Sequence, residues 1–269
     1  TAYRQTEENA YFKSYLLDVR PQSDNRPFPG RYLRWPKVKT LYQTLGSRLY
    51  ALMMSGEIVV MVVFIEALFV SGLLLFLPLV FVRRYVQKPS WAQVFYFFGV
   101  GAGFMLVELF FIKKFILVFG DPVISFSVVV AGVLIFSSLG GAWAHRMQKS
   151  ALKKALLALI GMLFLTYVVL DPLLRMLQGA AAIWHYAAVL LVLGPIGILM
   201  GLPFTIGMRD ILSSTPQRAY AWASNGCASV LASIAAAQMA LMFGIPYILV
   251  CALVAYGIVL LSWRQMNTA

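Results

Sequence analysis

From residue 57 onward the chain is built of apolar runs, each about the 20 residues an α-helix needs to cross the hydrocarbon of a bilayer. Seven such runs are read, near 57–82, 92–118, 123–143, 152–174, 182–206, 219–243 and 246–263. Only "FGDPV" separates the second from the third, and only "FGIP" the sixth from the seventh. Links that short join antiparallel helical hairpins. The pattern predicts an all-α integral membrane protein with about seven transmembrane helices in a polytopic bundle.

The first 56 residues are patterned differently. They are polar, aromatic and punctuated by Pro21, Pro27, Pro29 and Pro36, which predicts a short irregular tail. Leu41, Leu45, Leu49 and Leu52 then fall on one helical face, with Gln43 and Arg48 off it, as in a helix lying at the membrane interface. The expected organisation is the end of an upstream soluble domain and linker over 1–40, an interfacial amphipathic helix over 41–56, a transmembrane domain over 57–263 and a tail over 264–269. The opening at Thr1, without a signal-peptide pattern, leads to the expectation that the chain is the C-terminal part of something longer.

Composition narrows the class. The chain is 61% hydrophobic and 12% charged, with mean hydropathy +0.81; soluble domains carry about 25% charged residues. The net charge of +12 would suggest nucleic acid in a soluble protein. Here the basic residues sit in the first 56 positions and in short loops, and no basic stripe is interleaved with exposed aromatics. The expected partner is the lipid bilayer, and no nucleic acid. Arg83, Arg84, Lys88, Arg146, Lys149, Lys153, Lys154, Arg209, Arg218 and Arg264 mark one side of the bundle. Arg175, Lys113 and Lys114 mark the other. Positive-inside reasoning puts the first set in the cytoplasm, and seven spans then send residues 1–56 outside. Those residues carry nine Lys or Arg of their own, which favours inside, so the two signals oppose each other. The expected location is a multi-pass position in a bacterial inner membrane. Cys227 and Cys251 have no CxxC spacing and are not paired with His145 or His185, so no metal site is expected.

Polar residues inside spans are the candidate chemistry. Glu57 and Asp171 lie at span edges and read as interfacial. Glu66 and Glu108 lie deeper. A carboxylate against lipid at mid-bilayer costs a few kcal/mol, so each is expected to face the bundle interior, be paired or be protonated. Lys113 and Lys114 are five and six residues beyond Glu108, whereas same-face neighbours are three or four apart. No Glu108–lysine pair forms on that helix; each lysine must snorkel or meet a carboxylate from another helix. Gly120-Asp121-Pro122 reads as a helix stop followed by a capped start, with Asp121 as N-cap. Helix N-termini also attract anions, which keeps Asp121 a candidate.

Small residues cluster in "GVGAGF", "SSLGGAWA", "GPIGILMGLPFTIG" and "SNGCASVLASIAAA", where helix backbones can approach closely. Gly99–Gly103 and Gly197–Gly201 are GxxxG pairs. "GVGAGF" lies within a helix and lacks the dinucleotide-binding spacing. Pro195 and Pro203 predict kinks in the fifth span, and broken helices build midplane sites in many transporters. The Asn225 amide is expected to hydrogen-bond across helices. The candidates for a substrate or proton pathway are Glu66, Glu108, Lys114, Asp121, Arg209 and Asn225, and none is assigned a catalytic role.

Several segments together resemble a family. "DNRPF" (24–28) resembles the "DDRPF" that closes the soluble domain of membrane-bound spermidine-synthase-like proteins. "GFMLVELFFIKKFILVFGDPVISFSVVVAGVLIFSSLGG" is similar to the family's stretch in which a glutamate helix runs through "IQKF" and "GHP" into a serine-containing helix. "GLPFTIGMRDI" and "AWASNGCASVLAS" look like its later spans. The likeness covers about residues 20–245. Lys113 departs from the family's Gln, Asp121 from the His of "GHP" and Gly141 from the Ser of "GS", so a proton-relay role for that histidine does not carry over.

The resemblance implies an upstream aminopropyltransferase-like domain of Rossmann-type methyltransferase fold. That domain would use decarboxylated S-adenosylmethionine or S-adenosylmethionine. The present residues hold no glycine-rich strand–turn–helix and no acidic substrate pair, so no cofactor and no catalysis are expected in them. The expected role is to anchor the upstream domain of the same polypeptide and handle a polyamine or another small cation. The alternatives are half of a major-facilitator-like transporter and a purely structural membrane anchor.

Overall fold

The computed structural model describes residues 11–12, 14–19, 22–28, 33–46, 56–81, 89–177 and 179–268, without the side chains of Leu45, Glu57, 75–81, 267 and 268. Pro21, Pro29, Arg48, Leu49, Leu52, Arg83, Arg84, Lys88 and the Glu57 side chain therefore lie outside the description. Among the described residues there is no strand; the protein is an all-α membrane bundle. A 3₁₀ turn, Trp35–Lys37, leads into α1 (Val38–Leu45), which ends at Gly46 with φ 46°. The helix thus starts three residues before the expected Leu41. Leu41 is buried, as its place on the apolar face requires.

The long helices are α2 (Gly56–Phe81), α3 (Trp91–Phe119), α4 (Pro122–Ala144), α5 (Ala151–Met176), α6 (Ala182–Asp210), α7 (Thr215–Met242) and α8 (Pro246–Thr268). Six of them, α3 to α8, are long and apolar enough to cross a membrane; α2 carries the described apolar run Ile58–Leu74. The protein is therefore a multi-pass membrane protein in contact with lipid. Helix ends are set by local chemistry. Ser90 and Gln93 form a capping box at the start of α3. Gly120, at φ 67°, closes α3 in the left-handed conformation that glycine adopts without a Cβ penalty. Asp121 Oδ1 accepts from Val123 N at 2.7 Å and Ile124 N at 3.2 Å, and Pro122 occupies the first turn of α4.

The central helix is α3, which packs on α4, α6, α7 and α8, while α4 lies along α6 and α2 touches the bundle through α7. Glycine sets the closest crossings. A Cβ on Gly140 would collide with the Ile198 carbonyl, and one on Gly201 with the Ser137 carbonyl, so α4 and α6 run backbone to backbone. A Cβ on Gly101 would collide with the Asn225 backbone at the α3–α7 crossing. Both GxxxG pairs lie at such seams: Gly99 and Gly103 against Val259 and Tyr256 of α8, Gly197 and Gly201 against Phe136 and Ser137 of α4. Both prolines of the fifth span lie inside one helix. Helix α6 runs unbroken through Pro195 and Pro203, and Tyr96 Oη donates to the Pro203 carbonyl at 2.7 Å.

The alternating directions gather two ends. The C-termini of α3, α5 and α7 meet the N-termini of α4, α6 and α8 at one end. Residues 24–28 are held at that same end, because Ile245 N donates to the Asn25 carbonyl at 2.9 Å and Arg26 donates to the Phe243 carbonyl at 3.0–3.1 Å.

Gly201→Val should force α4 and α6 apart and cost about 2 kcal/mol, in the range of overpacked cores. Gly161→Ala, on α5 with open space around it, should instead hold or raise stability, by less than about 1 kcal/mol. Thermal unfolding in detergent separates the two, and equal melting temperatures would contradict the packing described.

Candidate functional site

Three segments far apart in sequence converge on one ammonium. Lys114 is only 4% exposed although it stands five residues from the end of α3. Its Nζ lies 2.6 Å from Asp171 Oδ1 on α5 and donates to Asn25 Oδ1, also at 2.6 Å. A lysine ammonium has three donors and a strong preference for water. Burial at this position requires charge-matched acceptors, and two of them are supplied here. Helices α3 and α5 share no extended packing, so the four-carbon stem of Lys114 bridges a gap between them.

The gap is a cavity of about 390 Å³, lined by Asp24, Asn25, Lys114, Asp171, Arg175 and His185 and floored by Leu117, Val118 and Leu174. The Asp171 side chain is 36% exposed, so the lysine does not cover it. Asp171 and Arg175 are four residues apart on the last turns of α5 and so share a face. His185 sits in the first turn of α6, and its Nε2 lies 3.0 Å from the Leu177 carbonyl. That contact makes Nε2 the protonated nitrogen of the neutral ring and leaves Nδ1 as the acceptor. Among the described residues, Arg175 and Asp24 have no hydrogen-bond or ion-pair partner, and both are exposed. The cavity thus holds an engaged lysine–carboxylate pair flanked by an unengaged cation and an unengaged carboxylate.

The tail segment forms one wall. Its turn is closed by the Arg26 N to Ser23 carbonyl bond at 2.7 Å, which presents Asp24 and Asn25 at the tip. Lys113, the neighbour of Lys114, lies 5.6 Å from the centroid of the Phe28 ring, a cation–π contact that holds the segment from the other side. Both lysines therefore find partners off their own helix, as the spacing from Glu108 requires.

The other sequence candidates lie elsewhere. Glu108 is half-buried on α3, six residues and hence about 9 Å of rise below Lys114. It is seven residues from Gly101 and fourteen from Val94, so it continues the stripe that meets α7. Glu66 is exposed on α2, so of the alternatives set out for it, facing the bundle interior is the one that does not hold. The reason is angular: α2 reaches α7 through Ser71, whose carbonyl lies 3.9 Å from Cys227 Sγ. Five residues at 100° each turn Glu66 about 140° away from Ser71. Asp121 is the N-cap of α4.

Arg209 lies at the opposite end of the bundle from Lys114. It donates to the Ala144 and Met147 carbonyls at 2.8 Å and grips Asp210 with two bonds of 2.7 Å. It thereby ties the end of α6 to the turn that follows α4. Asn225 stands at the α3–α7 crossing, but the bonds across it come from Ser224 Oγ to the Val94 carbonyl at 3.1 Å and Ser229 Oγ to the Gly101 carbonyl at 3.4 Å.

Of the six candidates, then, only Lys114 lines the cavity. Asp171 and Arg175 had a legible signal, an i,i+4 pair of opposite charge near a span end. Asn25, Asp24 and His185 had none, because only the tertiary arrangement brings them to Lys114. Among the described residues no group of three or more His, Cys, Asp or Glu could hold a metal ion. Compared with protein-family models, curated proteins and solved structures, the chain matches none.

Proposed function

We propose that this is a membrane domain that seats the polypeptide arriving from upstream against its helix ends, and binds an amine-bearing small molecule in the cavity completed by that seating. The observation that carries the reading is the ammonium of Lys114 held between Asp171 Oδ1 and Asn25 Oδ1 at 2.6 Å each. A pair of oxygens that holds one primary ammonium away from water has the chemistry to recognise another. A ligand amine would take the exposed side of Asp171 and the unengaged Asp24.

The reading extends to the family resemblance. A spermidine-synthase-like parent in a bacterial inner membrane would have an upstream aminopropyltransferase-like domain, and polyamines would be the amines at hand. Support comes from the meeting of segments that carry the likeness: "DNRPF" lies against Lys113 and Lys114 of "FIKKF", within the turn that leads to Asp121. Glu108 has no part in the amine site under this reading, because it lies below the cavity and does not line it.

Titrating the protein with putrescine and spermidine while following thermal unfolding tests the proposal. Stabilisation should appear at millimolar amine, vanish in Asp171→Asn and persist in Glu108→Gln. A wild-type melting temperature indifferent to both amines would overturn it and leave a structural anchor.

The lysine itself provides a second test. Lys114→Ala should cost about 2 kcal/mol, between the values for exposed and fully buried ion pairs. It also vacates an ammonium position, so ethylamine or propylamine should restore stability to Lys114→Ala while leaving wild type unchanged. Loss of stability with no rescue by any primary amine would mean that the Asp171–Asn25 pair cannot hold a free ammonium.

A further inference from the structure

The charges that line the cavity around Lys114 are unevenly placed. Asp24 adjoins Asn25, which shares the Lys114 ammonium with Asp171. Two carboxylates therefore line the cavity beside that ammonium, and the outer side of Asp171 is uncovered there. Arg175 follows Asp171 by four residues on α5, a rise of about 6 Å. Leu174 shares their face, three residues from Asp171, and lines the cavity with them. Along α5 the wall thus runs from a carboxylate over an apolar side chain to a guanidinium. His185 gives its ring N–H to the Leu177 carbonyl at 3.0 Å. Among the described lining residues, Arg175 is then the one cation without a partner, and Asp24 the one carboxylate.

We infer that the ligand is a small zwitterion, an amino acid whose ammonium and carboxylate are separated by a short run of methylenes. This rests on the reading of the cavity as an amine site and specifies the amine. The ammonium takes the outer side of Asp171 together with Asp24, the methylenes lie over Leu174, and the carboxylate meets Arg175. A guanidinium holds a carboxylate through two parallel hydrogen bonds, and a carboxylate accepts the hydrogens of a primary ammonium. A diamine of the same length sets its second ammonium against Arg175, and like charges repel. A simple carboxylic acid faces Asp24 and Asp171 with no cation of its own. Lys114 and Asp171 neutralise each other, so the remaining charges of the wall match one positive and one negative end. The cavity measures about 390 Å³; clefts of that volume hold drug-sized ligands, and a four-carbon chain fits with room for water.

Putrescine and γ-aminobutyrate make the test, because they share a four-carbon chain and one ammonium and differ only at the other end. Thermal unfolding in detergent, followed against the concentration of each, gives both affinities. The zwitterion should bind about tenfold more tightly than the diamine, the factor expected from one charge-assisted hydrogen bond. Butyrate, which lacks the ammonium, should not stabilise the protein. Arg175→Gln, at an exposed position, should remove the advantage of γ-aminobutyrate and leave the putrescine response in place, which also shows that the variant is folded. Asp24→Asn, likewise exposed, should weaken both ligands. A γ-aminobutyrate response undiminished in Arg175→Gln, or stabilisation by butyrate equal to that by γ-aminobutyrate, would overturn the inference. If putrescine stabilises the protein and γ-aminobutyrate has no advantage over it, the amine site stands and the zwitterion falls. If neither stabilises it, both fall.

Discussion

A lysine ammonium withdrawn from water at the end of a membrane helix is the constraint on which this end of the molecule is organised. Lys114 is all but withdrawn from water, 4% exposed between the segment of residues 24–28 and the end of α5. Its charge has to be met inside. Asp171 meets it from α5, and Asn25 meets it from the tail. Neither partner would suffice alone. The carboxylate leaves donors of the ammonium unused, and the amide oxygen carries no full charge. The requirement ties the tail to the bundle, and the tail in turn needs the α7–α8 turn, where Ile245 and the Phe243 carbonyl bind Asn25 and Arg26. One buried charge thus links α3, α5, the tail and the start of α8.

The opposite end solves a related problem in another way. There Arg209 spans the carbonyls of Ala144 and Met147, at and just past the end of α4, with a fork of donors while Asp210 meets its charge. A planar guanidinium suits several fixed carbonyls, and a compact ammonium suits two convergent oxygens. The difference sorts the two cations. Arg209 is consumed in joining helix ends, beside no cavity. Lys114 stands at the wall of one, with the outer side of its carboxylate partner still uncovered.

The fold was largely legible in the sequence because its signals are local. Span length, the Gly-Asp-Pro stop and start and the GxxxG pairs each depend on residues within one or two turns of one another. The exclusion of a Glu108–lysine pair was equally local, and it forced the lysines to look elsewhere. What stayed hidden was where they look. Asn25 is 89 residues from Lys114, and nothing in its neighbourhood marks it as a ligand for an ammonium. Asp171 read as interfacial because its depth along α5 was visible and its facing was not. Glu66 shows the complementary limit: depth left inward facing as one alternative, but α2 touches the bundle along a single face, and the glutamate falls on the other. The unbroken course of α6 shows the same limit. Two prolines lie within it, and a helix enclosed by α3, α4 and α5 is held continuous by its packing.

Charge arithmetic at the cavity narrows what its ligand can be. A passage for a polycation would be lined by carboxylates in excess, so that each amine along the ligand met an acceptor in turn. This cavity holds two carboxylates, Asp24 and Asp171, against two cations, Lys114 and Arg175. Its net charge is zero with His185 neutral. No long-range field favours a polyanion or a polycation there, and discrimination falls to short-range contacts. Those contacts suit one ammonium with an anion close beside it. For a polyamine, the same arithmetic places one terminal amine between Asp24 and Asp171, with the rest of the chain led away from Arg175. A ligand that carries its own anion needs no such detour, because Arg175 then becomes a partner.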